Sequence, residues 1–92
     1  MTNFEKATEI AVESIKRDAE FSNVDWDYVD DWNKLLDWFG QDSSDMKDDI
    51  YYTLSRSELS LSVFDDCSIE DSDGSIKTYR QLTNAIRKQL FE

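Results

Sequence analysis

The spacing of the apolar residues changes along this chain, and that change limits the fold to a small set. Up to residue 56 apolar side chains recur at three- and four-residue steps, the period of a helix face. After Glu58 they alternate, with Leu59, Leu61 and Val63 separated by Ser60 and Ser62, as in a strand with one buried face. From Tyr79 the longer period returns through Leu82, Ile86 and Leu90. This order predicts an α+β chain, mostly helical, with about four helices and a short β-hairpin between the third and fourth. Ninety-two residues are too few for two pieces with useful cores, so residues 1–92 are expected to form a single domain.

The first helix is predicted over residues 3–21, where Phe4, Ala7, Ala11, Ile15 and Ala19 make one apolar stripe. Glu5, Glu9, Glu13 and Glu20 lie on its far side, where like charges four residues apart repel by a few tenths of a kcal/mol per pair. A second helix is expected from a cap at Ser22 or Asn23 to about Phe39, with Gly40 placed for a left-handed terminus. Tyr28, Val29, Trp32, Leu35, Leu36 and Phe39 share one of its faces, and Asp27, Asp30, Asp31 and Asp37 the other. Trp26 and Trp38 stand at the borders, where a tryptophan is more often the rim of a core than a binding anchor.

Asp42, Ser43 or Ser44 can cap a third helix of about residues 44–56, with Met46, Ile50 and Leu54 inward and Tyr51 and Tyr52 partly outward. Asp45, Asp48 and Asp49 in its first turns suit the positive end of the helix dipole. The acidic run Asp65, Asp66, Glu70, Asp71, Asp73 ends in the turn dipeptide Asp73-Gly74, between short strands through Ser68-Ile69 and Ser75-Ile76. Thr78 and Gln81 make a capping-box pattern that opens the last helix, to about Phe91.

Charge is distributed as unevenly as period. From Asp18 to Asp73 there are fourteen Asp and three Glu against Lys34, Lys47 and Arg56, a local charge of −14 in a chain of −11. Residues 1–17 balance to zero and residues 74–92 carry +3. Three Trp, four Tyr and five Phe at regular spacing argue for a folded body, since disordered segments are poor in aromatics. A single-sign field on such a body points to a basic partner.

Several chemistries lose their residues at once. The chain has no His and one Cys, so imidazole-based catalysis, zinc spacing and an intrachain disulfide are all without material. Adjacent carboxylate pairs such as Asp30/Asp31, Asp48/Asp49 and Asp65/Asp66 sit on solvated surfaces rather than across a cleft, as paired acid–base catalysis requires. Ile69 to Arg80 matches the interior of a calcium loop but has Ile and Arg where the first and last carboxylates belong. No enzyme activity, metal or cofactor is therefore expected. Direct nucleic-acid binding needs a basic surface, and the chain offers the reverse. With no signal peptide or membrane span, a cytoplasmic protein is expected.

A domain of this length spans roughly 30–35 Å, and duplex DNA of that length carries on the order of twenty phosphate charges. The central segment's seventeen carboxylates are of the same order. In size, acidity, helix-rich pattern and aromatic core the chain resembles the phage-encoded DNA-mimic anti-restriction proteins, and in length the anti-restriction nuclease proteins (Arn) of T-even phages. The resemblance implies an inhibitor of a host restriction endonuclease of the McrBC type, acting in the host cytoplasm, possible as a homodimer. Asp25, Asp27, Asp30, Asp31, Asp37, Asp42, Asp45, Asp48 and Asp49 would then stand in for phosphates, with Asp65, Asp66, Glu70, Asp71 and Asp73 extending the array. A second, local resemblance is Asp48-Asp49-Ile50-Tyr51-Tyr52, which is similar to the acidic double-tyrosine segment of nuclease-colicin immunity proteins. That alternative implies inhibition of a nuclease toxin with Tyr51 and Tyr52 as anchors. Thr53 stands where that family's proline is expected soon after the tyrosines.

Overall fold

The chain, seen in a computed structural model that describes residues 1–57 and 62–92, forms four helices and a three-stranded antiparallel sheet, the α+β class its apolar spacing predicts. Helix α1 (Asn3–Phe21) is the spine: α3 (Ser43–Ser55) and α4 (Tyr79–Phe91) both pack on it, and β2 (Ile69–Glu70) lies against it. Its predicted stripe is the buried one, with Ala7, Ala11, Ile15 and Ala19 sealed and Val12 joining them. Leu35, Leu36, Met46, Ile50, Leu54, Leu82 and Ile86 complete the same core from the other helices.

The free amides at the start of α1 are satisfied partly from far along the chain. Thr2 and Glu5 form a capping box, while the Asn3 amide donates to Ser72 Oγ at 2.9 Å and the Phe4 amide to Asp71 Oδ1 at 3.1 Å. A carboxylate at this position also meets the positive end of the helix dipole. Replacing Asp71 by alanine is expected to cost about 1–2 kcal/mol, the usual price of a lost cap, with asparagine retaining most of the stability. Chemical denaturation of both variants checks this; equal losses would mean that charge, not acceptance from Phe4, is what matters there.

The second helix is shorter than its apolar spacing predicts, because α1 ends in a motif that uses Asn23. Asn23 takes a left-handed conformation (φ 53°), its amide donates to the Glu20 carbonyl, and Val24 reaches back to the Ala19 carbonyl at 3.0 Å. This closes α1 as a Schellman motif with asparagine in the usual glycine place. A single turn follows, in which the Asp25 carbonyl accepts from Tyr28 and Val29. Helix α2 (Trp32–Phe39) then starts at Asp31, whose carboxylate accepts from the Lys34 amide at 2.8 Å. Val29 is still buried, delivered by the turn rather than by a helix. Gly40, at φ 67°, ends α2 with the same bonding pattern.

Asp42 is the cap chosen for α3, in a reciprocal box with Asp45. Thr78 and Gln81 cap α4 as their spacing predicts. The sheet is a meander: β1 (Ser62–Val63) pairs with β2, and β2 with β3 (Ile76–Lys77), in the register Val63↔Ile69 and Ile69↔Lys77. The predicted hairpin is present one residue later than drawn, over Ile69–Glu70 and Ile76–Lys77, and turns through Asp71 to Gly74. Of the predicted alternating strand, Ser62 and Val63 form β1, while Leu59 to Leu61 lie outside the described residues. Between β1 and β2, Cys67 sits at φ 65° in a tight turn and is wholly buried, and burial pushes its thiol up to about 11.

Candidate functional site

Thirteen of the fourteen acids singled out by sequence are exposed, Asp71 alone being half-buried. Lys34 to Asp30, at 2.9 Å, is the one salt bridge among the described residues, so almost none of this charge is neutralised by a neighbouring cation. The Lys34 ammonium holds the Asp30 carboxyl below its usual range. Hydroxyl donation from Ser68 and from Ser75 does the same for Asp66 and Asp73, at 2.5 and 2.6 Å. These groups are easier to ionise folded than unfolded, so the stability they add is present above ordinary carboxylate values and fades as pH falls through their lowered ones.

Many of these carboxylates also have a local task. Asp31, Asp42 and Asp45 bond backbone amides at helix starts, Asp25 accepts from the Asp27 amide, and Asp66 and Asp73 bond the amides two residues on. Such bonds fix a carboxylate in place and leave its charge facing water. Among the described residues, the carboxylates of Asp27, Asp37, Asp48 and Glu70 make no side-chain hydrogen bond or salt bridge.

Acids from three parts of the chain meet around α3. Tyr51 extends from this helix to Asp65 of the β1–β2 turn, with its hydroxyl 3.3 Å from Oδ1, and the nearby Asp65 charge raises the phenol's pKa. The Lys47 carbonyl lies 3.8 Å from Cys67 Sγ in the same turn, which brings Asp66 beside the second turn of α3. On the other flank a groove of about 410 Å³ runs between α1 and α3 and has Asp18, Asp49 and Tyr52 in its walls. Asp18 was not among the acids singled out by sequence. The signal for it is position: it follows Ala11 and Ile15 along the α1 stripe, one turn beyond Ile15 on the side that meets α3.

Other acids are not brought to this surface. Glu5, Glu9 and Glu13 line a separate groove between α1 and α4. Asp71 lines a further one at the start of α1, together with Lys77 and Lys88. The calcium-loop match at Ile69 to Arg80 is occupied by the hairpin turn, where the Asp71 and Asp73 carboxylates bond amides. Among the described residues no cluster of three or more His, Cys, Asp or Glu could hold a metal, and no helix is long and apolar enough to cross a membrane.

The two tyrosines differ. Tyr51 is half-buried against the core and tied to Asp65, whereas Tyr52 is 60% exposed and carries the Arg56 guanidinium over its ring at 5.1 Å. The body measures 39 × 23 × 21 Å, longer than a sphere of its mass and nearly round in cross-section. Compared with known proteins, the chain matches no family model, no curated protein and no solved structure.

Proposed function

We propose that the chain is a DNA-mimic inhibitor that occupies the DNA-binding site of a restriction endonuclease of the McrBC type, in the cytoplasm of a phage-infected cell. The observation that carries this reading is the near-absence of countercharge around acids that are fixed in position and exposed. Duplex DNA as long as this body, 39 Å, carries about 23 phosphate charges. The seventeen carboxylates from Asp18 to Asp73 are of the same order. Its role is occupation of a basic cleft, with no bond made or broken. The long-range field speeds encounter, and the fixed carboxylates meet arginines and lysines that otherwise hold phosphates.

Competition tests it directly. Inhibition of a purified McrBC-type nuclease is expected to fall as duplex DNA is added, and affinity for the nuclease to weaken at least about tenfold between 50 and 200 mM salt. Inhibition that persists when duplex saturates the nuclease would remove the proposal.

The exposed Tyr52, in one groove with Asp49, favours a second reading, an immunity-type inhibitor of a nuclease toxin. Under it Tyr52→Ala costs about 2 kcal/mol or more of binding, as a hot-spot anchor does. Under the DNA-mimic reading, which spreads the interaction over many acids, the same change costs little.

A further inference from the structure

The end of the body at which α1 stops carries a different surface from α3. Phe21 is 87% exposed, Tyr28 59%, Trp26 42% and Trp38 38%, all within residues 21–38. They do not lie at random. Trp26 is paired with Phe91 at 6.2 Å between ring centroids and Tyr28 with Trp38 at 6.4 Å, while the Trp38 indole donates to the Ser22 carbonyl at 3.1 Å. Four large aromatics in one short stretch are between 38% and 87% exposed, and apolar surface grouped in this way marks an interaction site. Asp25, Asp27 and Asp37 belong to the same stretch, are exposed, and make no salt bridge among the described residues.

The chain already displays what such a surface holds. The Lys34 ammonium sits 2.9 Å from Asp30 and 5.4 Å from the centre of the Tyr28 ring, bound by carboxylate and aromatic face together. Arg87 lies over Trp32 at 5.4 Å nearby. A guanidinium suits this arrangement better than an ammonium, because it stacks flat on a ring while its edge pairs with a carboxylate.

We infer that the aromatic end formed by residues 21–38 docks an arginine-rich segment of the partner, with Trp26, Tyr28 and Trp38 receiving guanidinium planes and Asp25, Asp27 and Asp37 their charge. This rests on the reading above in that the partner is basic, and goes beyond it in placing the anchors away from α3. The acids of α3 supply the long-range field, and the aromatic end adds close stacking contacts that salt weakens less than that field.

The experiment is a nuclear magnetic resonance titration of the whole chain with a short end-blocked peptide of alternating arginine and glycine, and with its lysine counterpart, at about 0.15 M salt. The indole signals of Trp26 and Trp38 are expected to move first, with buried Trp32 nearly still, and the arginine peptide to bind more tightly than the lysine one. Phe21→Ser/Tyr28→Ser, confined to the two most exposed positions so that the fold is kept, is expected to weaken the arginine peptide about tenfold. Asp45→Asn/Asp48→Asn/Asp49→Asn on α3 should change it less than threefold. Shifts centred on α3, equal binding of both peptides, no loss in the serine variant, or concentration-dependent self-association through these rings without peptide would each overturn the inference. No nuclease is used, so failure to inhibit one sinks the proposed function and leaves this result standing, and the converse holds as well.

Discussion

Changing Asp45, Asp48 and Asp49 together to lysine is expected to abolish inhibition of the target nuclease, with affinity falling by at least about 100-fold, or roughly 2.7 kcal/mol. The three lie on one helix whose neighbours add Asp18 on one flank and Asp65 and Asp66 on the other. Reversal therefore replaces attraction by repulsion where acids from three parts of the chain meet, and like-charge juxtaposition costs several kcal/mol. Any one of them changed to asparagine should weaken binding less than about threefold, since exposed single charges contribute little on their own. Direct binding measurements on the four variants decide between a distributed field and a focal contact. A single Asp→Asn losing as much as the triple reversal would sink the distributed field on which the mimicry rests.

Asp45 needs a control because it also completes the capping box of α3. Some of the loss in the triple variant could come from a frayed helix, since caps are typically worth about 1 kcal/mol. Leaving Asp45 intact and reversing Asp48 and Asp49 alone separates the two effects. Among the described residues the Asp48 carboxylate has no hydrogen-bond or salt-bridge partner, and that of Asp49 accepts from the Gln41 side chain. If the double variant keeps its thermal stability and loses most of the affinity, charge is the cause.

Much of this architecture was legible in the residues because several local signals agreed. The α1 stripe, the Thr78–Gln81 capping box and the Asp73-Gly74 turn each rest on a strong local signal, and all three stand where the sequence puts them, whereas the boxes at Thr2–Glu5 and Asp42–Asp45 appear only in the structure. The apolar spacing makes the second helix too long because Asn23 ends α1 in a role glycine usually takes, and because a single turn at Asp25 delivers Val29 to the same core. Periodicity reports burial, not the backbone that achieves it. The β1–β2 pairing was missed for a related reason: its turn depends on Cys67 at positive φ, a conformation that composition does not announce. For the site, exposure of the acids was readable from helix faces, but their company was not. Asp18 joins Asp49 only because α1 and α3 pack, and Asp71 leaves the array only because it caps α1.

Ile69→Ala is expected to be among the most damaging single substitutions to the fold, at about 2–5 kcal/mol, as for other fully buried aliphatic truncations. Ile69 is completely buried in the middle strand, paired with Val63 on one side and Lys77 on the other, and its strand is the one that packs on α1. A domain of this length has a total stability of only about 5–14 kcal/mol. The loss therefore takes a large share of it, and a urea midpoint measures it readily. Ile76, on the neighbouring strand, is 51% exposed and gives the control: Ile76→Ala should change stability by no more than about 0.5 kcal/mol. Equal losses at the two positions would show that the sheet is not anchored through Ile69. The consequence reaches function, because this sheet carries Asp65 and Asp66 to α3 and Asp71 to the start of α1. A chain weakened at Ile69 should lose inhibitory affinity in step with its loss of folded population, while Asp48→Lys/Asp49→Lys loses affinity with the fold intact.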